Sequence, residues 1–416
     1  GRGIDLVAGQ TTRQTFVLTV GAVTETVQVD ASAPLVSTAA AEQLQTFESL
    51  KVTELPLGRR NVTNVLRLST GVDIGASRSL RINGVGSNGT GISVDGTDAN
   101  AQPEQRGLGM YGGRNYIDVM SIDAVQEVQL VRGILPAEYG GVLGGQVNLI
   151  SKSGTNKWHG SAFENYQSHV LNARNPFVSR LVPKPRAVFN QFGGVLGGPI
   201  KRDRIFLFGG YEGYRESVST RQSGTYPTAA LRQEVLRALP FQETRLVLDA
   251  LPLPTIPRFL MQPDGSRIVD PDRGDFETLR IRQSSENHVI GKGDMRMGRS
   301  GNLSLSYSRM RPFGLDPRAE IGNDRTFNYK TDRGTASFTT GGARWTSESR
   351  FGYNENDMKR LDHFFLRKDP RNLPEVWPFG RSLPSMSTSG LFGTPGPEIW
   401  DMDGQTWTMD QKISRH

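Results

Sequence analysis

The chain has 416 residues, of which 48 are Gly, 23 are Pro and none is Cys, and 36% are hydrophobic. Because polar residues are spread along the whole chain, this composition predicts a β-rich, turn-rich folded protein, and the lack of Cys excludes a disulfide scaffold, a thiolate metal site and a cysteine nucleophile. The net charge of +7 includes Arg residues that are scattered singly, so we expect no nucleic-acid partner.

Hydropathy and the start of the chain limit how it could meet a membrane. No run approaches the ~18 apolar residues of a transmembrane helix, whereas a membrane β-strand needs only ~10 residues of alternating polarity. The sequence begins with Gly1, Arg2 and Gly3, without Met and without the basic and apolar regions of a signal peptide. We therefore expect a fragment of a longer protein.

The first thirty residues alternate apolar and polar side chains in two short runs, 15–20 and 24–29, separated by Gly21. This pattern predicts that residues 1–31 are the end of a small β-sandwich. A linker is predicted over 32–49.

Residues 50–156 have the pattern of a small α+β domain. Apolar residues near helical spacing, ended by Gly71, predict a short helix. Gly-rich segments then separate several short apolar runs, which are predicted strands. These runs lie at 80–83, 91–95, 125–131 and 146–151.

From Trp158 onward, segments with one apolar and one polar face recur. Tight turns are predicted at 201–203 and 298–301, and long loops at 219–284 and 359–401. All long connections fall at one end of the strands, as in an outer-membrane barrel with short periplasmic turns and long extracellular loops. The alternative is a soluble antiparallel β-protein with insertions, but charges in the middle of the polar faces favour a water-filled lumen.

Three predicted strands, at 158–166, 187–198 and 204–216, alternate less cleanly and carry pairs of glycines. The pairs begin at Gly193, Gly197 and Gly209. Glycine inside a strand often marks the close approach of another backbone, so the pairs are consistent with a domain packed inside a barrel.

Three further patterns are better explained by turns. The glycines of 84–89 fit the spacing G-x-G-x-x-G, but a predicted strand follows them where dinucleotide binding needs a helix. The acidic segment 95–100 lacks a downstream Glu at calcium-loop spacing. The five histidines show no zinc or hydrolase spacing. We therefore predict no catalytic residue, no cofactor and no metal site.

A long motif in the α+β domain carries a family resemblance. Segment 128–141 reads Val-Gln-Leu-Val-Arg-Gly-Ile-Leu-Pro-Ala-Glu-Tyr-Gly-Gly, and 144–154 reads Gly-Gly-Gln-Val-Asn-Leu-Ile-Ser-Lys-Ser-Gly. Together they resemble the C-terminal half of the plug domain of TonB-dependent outer-membrane receptors. The plug-motif residues in these segments are Arg132, Gly133, Glu138, Tyr139, Gly140, Gly144, Gly145 and Asn148.

Segments 81–84 and 94–96 resemble the first half of the plug and add Arg81, Gly84, Asp95 and Gly96 to the motif residues. We interpret four of the plug residues as structural and not catalytic, because they lie at bends and strand ends between glycines: Arg132, Glu138, Tyr139 and Asn148. Gln129 and Ile134 depart from the usual pattern but leave the turn glycines in place.

Further segments resemble the Oar-like branch of the family. They are 151–156, 159–160, 173–177 and 197–200. In that branch a carboxypeptidase-regulatory-like β-sandwich precedes the plug. The resemblance therefore implies a mainly β protein with the end of a β-sandwich over 1–31, a plug over 50–156 and part of a transmembrane antiparallel β-barrel over 157–416.

Residues 24–31 resemble the TonB box, an extended segment that the protein TonB captures by adding a strand to it. A last sandwich strand or a linker would explain this segment equally well. The candidate box residues are Glu25, Thr26, Val27, Gln28 and Val29.

The resemblance implies active transport of a solute across the outer membrane, driven by TonB and its inner-membrane complex, with the plug gating the barrel. The N-terminus and plug would face the periplasm, and lipid would surround the barrel. The alternative is an outer-membrane adhesion or structural protein with a static plug.

The predicted barrel is incomplete. About eight strands are predicted over 157–416, whereas the family's barrels close with about twenty-two, and eight strands could not enclose a plug of ~100 residues. An open sheet would leave two unpaired edges, which lipid does not tolerate. We therefore expect the strands of this chain not to close on themselves around the plug.

Overall fold

A computed structural model describes most of the chain from Glu42 to Arg415. The described residues are 42–48, 60–74, 80–85, 89–99, 120–136, 139–140, 142–174, 176, 184–298, 300–318, 324–362, 385–387, 393–395 and 400–415. The predicted sandwich end over 1–31 lies outside them.

Within that part of the chain, no helix is both long and apolar enough to cross a membrane.

The N-terminal half of the described chain forms a small α+β unit. Its elements are β1 (Glu42–Glu48), α1 (Val62–Leu66), β2 (Val72–Ile74), β3 (Leu80–Ile82), β4 (Thr90–Val94), β5 (Thr97–Asp98), β6 (Val125–Gly133) and β7 (Gly145–Ser151). Five of these strands form one sheet in the order β1-β6-β7-β4-β5, and β2 pairs with β3. The predicted helix before Gly71 and all four predicted strands are present.

The core of this plug is a layer of aliphatic side chains between α1 and the sheet. Val62, Val65 and Leu66 of α1 are fully buried, as are Leu130 and Leu149 of the sheet. Asn61 caps α1 by accepting a hydrogen bond from the Asn64 amide at 3.0 Å. Apolar burial of this kind is the main force that holds a domain of this size together.

The linker prediction for 32–49 is corrected over Glu42–Glu48, which forms an edge strand of the plug sheet. This strand, β1, pairs antiparallel with β6 from Glu42↔Gly133 to Glu48↔Glu127. The segment has few apolar residues, and Phe47 alone packs against the plug core. Backbone pairing at a sheet edge tolerates such a polar sequence, so the pattern gave no strand signal.

Two tight turns shape the plug. Asn83 and Gly84 both have positive φ, 52° and 76°, and Asp95 and Gly96 repeat this with 49° and 77°. Consecutive positive φ values define the type I′ turn, which favours Asn-Gly and Asp-Gly. The second turn joins β4 to β5 and points the Asp95 side chain away from the plug core.

A second sheet contains the remaining long strands. They are β8 (His159–Ser168), β9 (Ala187–Lys201), β10 (Ile205–Pro227), β12 (Arg267–Met297), β13 (Gly301–Met310), β15 (Arg325–Gly342), β16 (Trp345–Asp362) and β19 (Trp400–Arg415). Each pairs antiparallel with its neighbour in the order β8-β9-β10-β12-β13-β15-β16-β19. The short strands β11 (Ile256–Met261) and β14 (Phe313–Asp316) extend this wall, and β17 (Ser385–Ser387) pairs with β18 (Gly393–Pro395).

Alternation along these strands separates two faces. The outer face exposes a band of large apolar residues, while the inner face meets the plug. Residues of the band include Leu196, Leu207, Val289, Leu305, Phe338, Phe351, Met409 and Ile413. Such a band with a polar inner face is the pattern of a membrane-spanning barrel.

Aromatic residues mark one border of the band. Tyr307 donates a hydrogen bond to Asp332 at 2.6 Å, and Tyr211 donates one to Asn287 at 2.9 Å. Trp407, on the same border, is 63% exposed. Rings with an apolar body and a polar tip suit the boundary between lipid and water.

The connections alternate in length as predicted. Tight turns follow β9, β12 and β15, whereas 18 or more residues separate β8 from β9 and β10 from β12. The predicted loop over 219–284 is corrected, because β10 runs on to Pro227 and β12 begins at Arg267. Above the lipid both faces of a ribbon meet water, so its side chains show no clear alternation.

The tip of this ribbon carries two helices, α2 (Ala229–Ala238) and α3 (Gln242–Ala250). A small apolar cluster holds them to the strands. Tyr226, Leu248 and Leu251 are buried there, and the Tyr226 ring meets Phe276 edge-on at 6.0 Å.

The wall is an open sheet. Its strand path ends at β8 on one side and at β19 on the other, and no pairing joins these two strands in the described chain. The strands therefore do not close on themselves around the plug, as the strand count predicted.

The glycines of the wall allow close contacts, but several of these are with neighbouring strands. A Cβ at Gly193 would lie 2.3 Å from the Tyr211 carbonyl oxygen of β10. The closest approach at the junction between the two units is made by Gly154, where a Cβ would lie 2.3 Å from the Leu207 carbonyl oxygen and 2.8 Å from that of Gly198.

We predict that Gly154→Ala destabilises the folded protein by about 1–3 kcal/mol, because the added methyl group meets backbone atoms that cannot move aside. The measurement is the free energy of unfolding in urea. Gly291→Ala is the matched control, since nothing lies within 4 Å of a Cβ there. Equal losses in the two variants would contradict the packing argument.

Candidate functional site

The candidate site is the interface between the plug and the wall, and its centre is an ion pair. Lys292 of β12 is 9% exposed and lies with its Nζ atom 3.7 Å from Asp95 Oδ1 of the plug. Nζ also donates to the Ser151 hydroxyl at 2.9 Å and to the Ser151 carbonyl oxygen at 3.3 Å. From β13, the Ser306 hydroxyl donates to Asp95 Oδ2 at 3.4 Å.

Asp95 is also fixed within the plug. The Ser151 amide donates to Oδ1 at 2.9 Å, and the Ser151 hydroxyl lies 2.7 Å from Oδ2. The carboxylate therefore joins the β4–β5 turn, the end of β7 and two wall strands. A buried ion pair is stable only when its remaining donors and acceptors are satisfied, and these bonds satisfy them.

A second polar cluster lies where the plug meets β9 and β10. Gln191 donates to the Arg60 carbonyl oxygen at 2.8 Å and accepts from the Arg60 amide at 3.1 Å. The same side chain donates to Glu212 at 2.9 Å, and Ser121 of the plug donates to the other oxygen of Glu212. Gln191 and Glu212 are buried, so these bonds are costly to leave unmade.

The Arg60 side chain extends this cluster into the plug. Its guanidinium lies 3.4 Å from Asp123 and 5.1 Å from the centre of the Phe163 ring of β8. Burial raises the pKa of Asp123 against the opposing attraction of Arg60 and Lys152. Burial likewise lowers the pKa of Lys152.

A third contact joins the β4–β5 hairpin to β16. Asn354 donates to the Ala99 carbonyl oxygen at 3.3 Å. A Cβ at Gly352 would lie 2.6 Å from Thr97, and one at Gly96 would lie 2.8 Å from the Arg350 guanidinium. Glycine therefore permits the close approach of plug and wall on both sides of this contact.

A cavity of about 960 Å³ lies between the plug and β12–β19. Its lining is mostly polar and charged, with residues from both units. Among these are Asp95, Asn148, Lys292, Glu348, Arg350 and Asp410. A solute passing beside the plug would meet charged and hydrogen-bonding groups here.

The structure brings five of the predicted plug-motif residues to this cavity. They are Asp95, Gly96, Tyr139, Gly140 and Asn148. Asn148 accepts a hydrogen bond from Ser93 at 2.7 Å and donates one to the Tyr139 hydroxyl at 3.2 Å.

The other motif residues lie elsewhere in the plug. Arg132 donates to the Thr70 carbonyl oxygen and, at 3.3 Å, to Gln45 of β1. Gly133 ends β6 with a φ of 88°. Gly144 and Gly145 each pack against Ile82, where a Cβ would lie 2.8 Å from its atoms.

Arg81 is exposed on β3, and Gly84 completes the first turn. Glu138 and the candidate TonB-box residues 25–29 lie outside the described residues.

Sequence reasoning missed the wall residues that hold the plug, above all Gln191, Glu212 and Asn354. Lys292 was visible only as one charge on a polar strand face. A polar residue on the lumen face of a strand is ordinary in such a barrel, so nothing in the pattern separates those that touch the plug from those that touch water.

In the part of the chain that the structure describes, no three His, Asp or Glu side chains are placed to hold a metal ion.

Comparison with protein families agrees with this architecture. Residues 150–415, more than half of the chain, match the family described as Outer membrane beta barrel domain, and residues 39–146 match the TonB-dependent Receptor Plug Domain. Fold and site thus define an outer-membrane β-barrel protein whose plug lies on the periplasmic side. The chain belongs to the outer-membrane β-barrel family over 150–415, and residues 39–146 form a plug domain of the TonB-dependent receptor type.

Two curated proteins are similar over part of the chain. One is the TonB-dependent transporter Oar of Myxococcus xanthus, 32% identical over 97 residues, which are 22% of this chain and 9% of that protein. The other is the ferrienterobactin receptor of Escherichia coli, 30% identical over 155 residues, 32% of this chain and 20% of that protein. The chain thus spans a fifth or less of the length of these relatives.

Two solved structures share the fold. The outer-membrane transporter YddB of Escherichia coli superposes with a TM-score of 0.51 at 14% identity, covering 77% of this chain and 39% of that one. A ferric enterobactin receptor mutant, PfeA of Pseudomonas aeruginosa, gives 0.53 at 13% identity, covering 88% and 45%.

We predict that Lys292→Met destabilises the plug–wall interface by about 3 kcal/mol, because it removes the cation from Asp95, whose side chain is only 13% exposed. The measurement is the thermal transition of the purified protein by calorimetry. Adding Asp95→Asn should restore part of the loss.

The matched control is the exposed pair Arg221–Glu277, whose side chains are 66% and 37% exposed. Arg221→Ala should cost less than ~1 kcal/mol. A Lys292→Met variant as stable as this control would contradict the central role of the ion pair.

Proposed function

We propose that this chain supplies the plug and part of the barrel of a receptor that moves a solute across the outer membrane when TonB displaces the plug. The observation that carries the proposal is the way in which the plug is held. Most of its contacts with the wall are polar clusters, centred on Lys292, Gln191 and Asn354, and apolar packing is added at Phe208 and Ile290. Such clusters can be broken and remade without unfolding the apolar plug core.

We further propose the division of the chain into a sandwich end over 1–31, a plug within 50–156 and barrel strands over 157–416. TonB would bind the candidate box at 25–29 from the periplasm, and outer-membrane lipid would surround the exposed apolar band. The proposed role needs no catalytic chemistry, so we propose that the protein is not an enzyme and uses no cofactor.

The plug-motif residues are proposed to act structurally. Arg132 ties β6 to the turn at Thr70, and Asn148 links β7 to β4 through Ser93. Asp95 differs from them, since its carboxylate also contacts the wall. Displacement of the plug must therefore break the contacts of Asp95 while Arg132 and Asn148 keep the plug intact.

The rival proposal is an adhesion or structural protein with a static plug. The two differ in whether the buried plug–wall contacts ever open. Thr97 is suited to this question because it is 1% exposed and packs against Gly352 of the wall.

We predict that a cysteine placed by Thr97→Cys reacts with a thiol reagent only in cells with active TonB, because only a displaced plug exposes it. These 416 residues contain no cysteine, so within them the label reports one site. The measurement is the labelling rate with and without a proton-gradient uncoupler. Ser266→Cys, at an exposed position of the ribbon tip, should label equally in both. A labelling rate of Thr97→Cys that is the same with and without active TonB would support the static plug.

We predict that Val27→Pro abolishes crosslinking to TonB, because proline removes a backbone donor and fixes φ in a segment that must add a strand. The thermal transition of plug and barrel should not change. A destabilised protein, or unchanged crosslinking, would show that 25–29 is an ordinary strand and that the box lies elsewhere.

A further inference from the structure

Arg333 of β15 is an unusual cation. It lies on the lumen face of the wall and is 3% exposed. Neither of its Nη1 and Nη2 atoms has a hydrogen-bond partner among the described residues. A buried charge without hydrogen bonds is costly, and ionisable residues at membrane depth commonly mark the route of a solute or ion.

A second unmade bond lies beside it. Asn354 of β16 is the direct cross-strand partner of Arg333 and is 2% exposed. Its Nδ2 atom donates to Ala99 of the plug, but its Oδ1 atom has no partner in the described part of the chain. Unused donors and an unused acceptor therefore adjoin each other on the wall.

The charge that balances Arg333 belongs to the plug. Asp98 lies between Thr97, which packs against Gly352, and Ala99, which accepts a hydrogen bond from Asn354, the cross-strand partner of Arg333. Its carboxylate and, to a smaller extent, that of Asp95 attract the Arg333 guanidinium electrostatically. Both lie on the β4–β5 hairpin, whose tip is held to the wall by Lys292. The wall thus carries two buried cations, and the moving part carries the anions that neutralise them.

Lys292 and Arg333 are close along the wall. Lys292 pairs with Ser306 of β13, and Arg333 pairs with Ser308, two residues further along the same strand. The two residues lie on either side of β13, two interstrand spacings of about 4.8 Å apart and roughly 7 Å apart along the strand, so their Cα atoms are roughly 12 Å apart. Two long side chains that reach toward each other leave a gap that one anion with several carboxylates can span.

We propose that Arg333, with Asn354 and Lys292, forms a binding site for a carboxylate-bearing solute, which the plug carboxylates Asp98 and Asp95 occupy at rest. When the β4–β5 hairpin moves, the wall is left with uncompensated positive charge at the depth where the solute must pass. The solute's carboxylate takes the place of the plug's, and the returning hairpin competes it off. This inference rests on the proposed movement of the plug.

The test uses a single cysteine at Ser308→Cys, the cross-strand partner of Arg333. Its reaction rates with an anionic sulfonatoethyl and a cationic trimethylammonioethyl methanethiosulfonate are compared, each divided by the rate with a free thiol. In cells lacking TonB, Asp98→Asn should raise the ratio of the anionic to the cationic labelling rate about tenfold. Removal of one negative charge close to the thiol changes the electrostatic free energy of an approaching ion by more than ~1.4 kcal/mol at a protein surface, which corresponds to a tenfold change in rate. Adding Arg333→Gln should abolish the rise.

Citrate, as a tricarboxylate probe, should slow the labelling of Ser308→Cys in the Asp98→Asn background but not after Arg333→Gln. Sodium chloride at the same ionic strength is the control for screening. The second control is Ser337→Cys on the same lumen face. Its thiol lies roughly 13 Å along the strand from Arg333, and salt screens most of the electrostatic interaction over that distance. Its rate ratio should not respond to Arg333→Gln.

The site is refuted if the rate ratio at Ser308→Cys is the same before and after Arg333→Gln, if citrate gives no protection, or if this thiol never reacts. In cells with TonB and intact Asp98, a ratio that rises on energisation supports both the site and plug movement. A ratio that depends on Arg333 in the Asp98→Asn background but ignores TonB supports the site and counts against the proposed transport function.

Discussion

Lipid offers no hydrogen bonds to a backbone, and this constraint determines the rest of the structure. Every strand of the wall must pair with its neighbours, and the hydrophobic pattern and the short turns set the register of each pair. Once the register is fixed, alternation decides which side chains face lipid and which face the lumen. Lys292, Ser306 and Gly352 consequently lie on one side of the wall, where they meet the same hairpin of the plug.

The plug shows the opposite balance of forces. Its own core is aliphatic and dry, whereas its contacts with the wall are mostly polar. Phe208 and Ile290 are exceptions, since these wall residues pack against the plug core cluster. The plug can therefore keep its folded core while its contacts with the wall change. Its polar contacts can be exchanged for hydrogen bonds to water at little net cost in free energy.

Much of the fold was predictable from local patterns. The helix before Gly71, the strand containing Val128 and the Asp95-Gly96 turn follow from spacing and from the conformations that Asn, Asp and Gly tolerate. The edge strand at Glu42–Glu48 could not be predicted in this way, because it is held by backbone pairing with β6 and its side chains show no strand pattern. The ribbon beyond the lipid escaped prediction because both its faces meet water.

The candidate site was predictable only on the plug side. Asp95 and Asn148 belong to a motif, so their neighbourhood could be expected from resemblance. Arg333 and Glu212 are single charges in strands with polar faces, and their meaning depends on which residue lies opposite in space. That pairing is a long-range property, and no local pattern encodes it.

The long ribbon formed by β10 and β12 has a mechanical consequence. Its ladder runs without a register shift from Ile205↔Met295 to Pro227↔Arg273, a span of roughly 75 Å for 23 residues. Sliding one strand past the other would break many hydrogen bonds at once and invert every side chain, so the ribbon resists shear along its axis. The ribbon is therefore stiff along its axis, and a force applied to the two helices at its tip is transmitted to the stretch of β12 that carries Lys292.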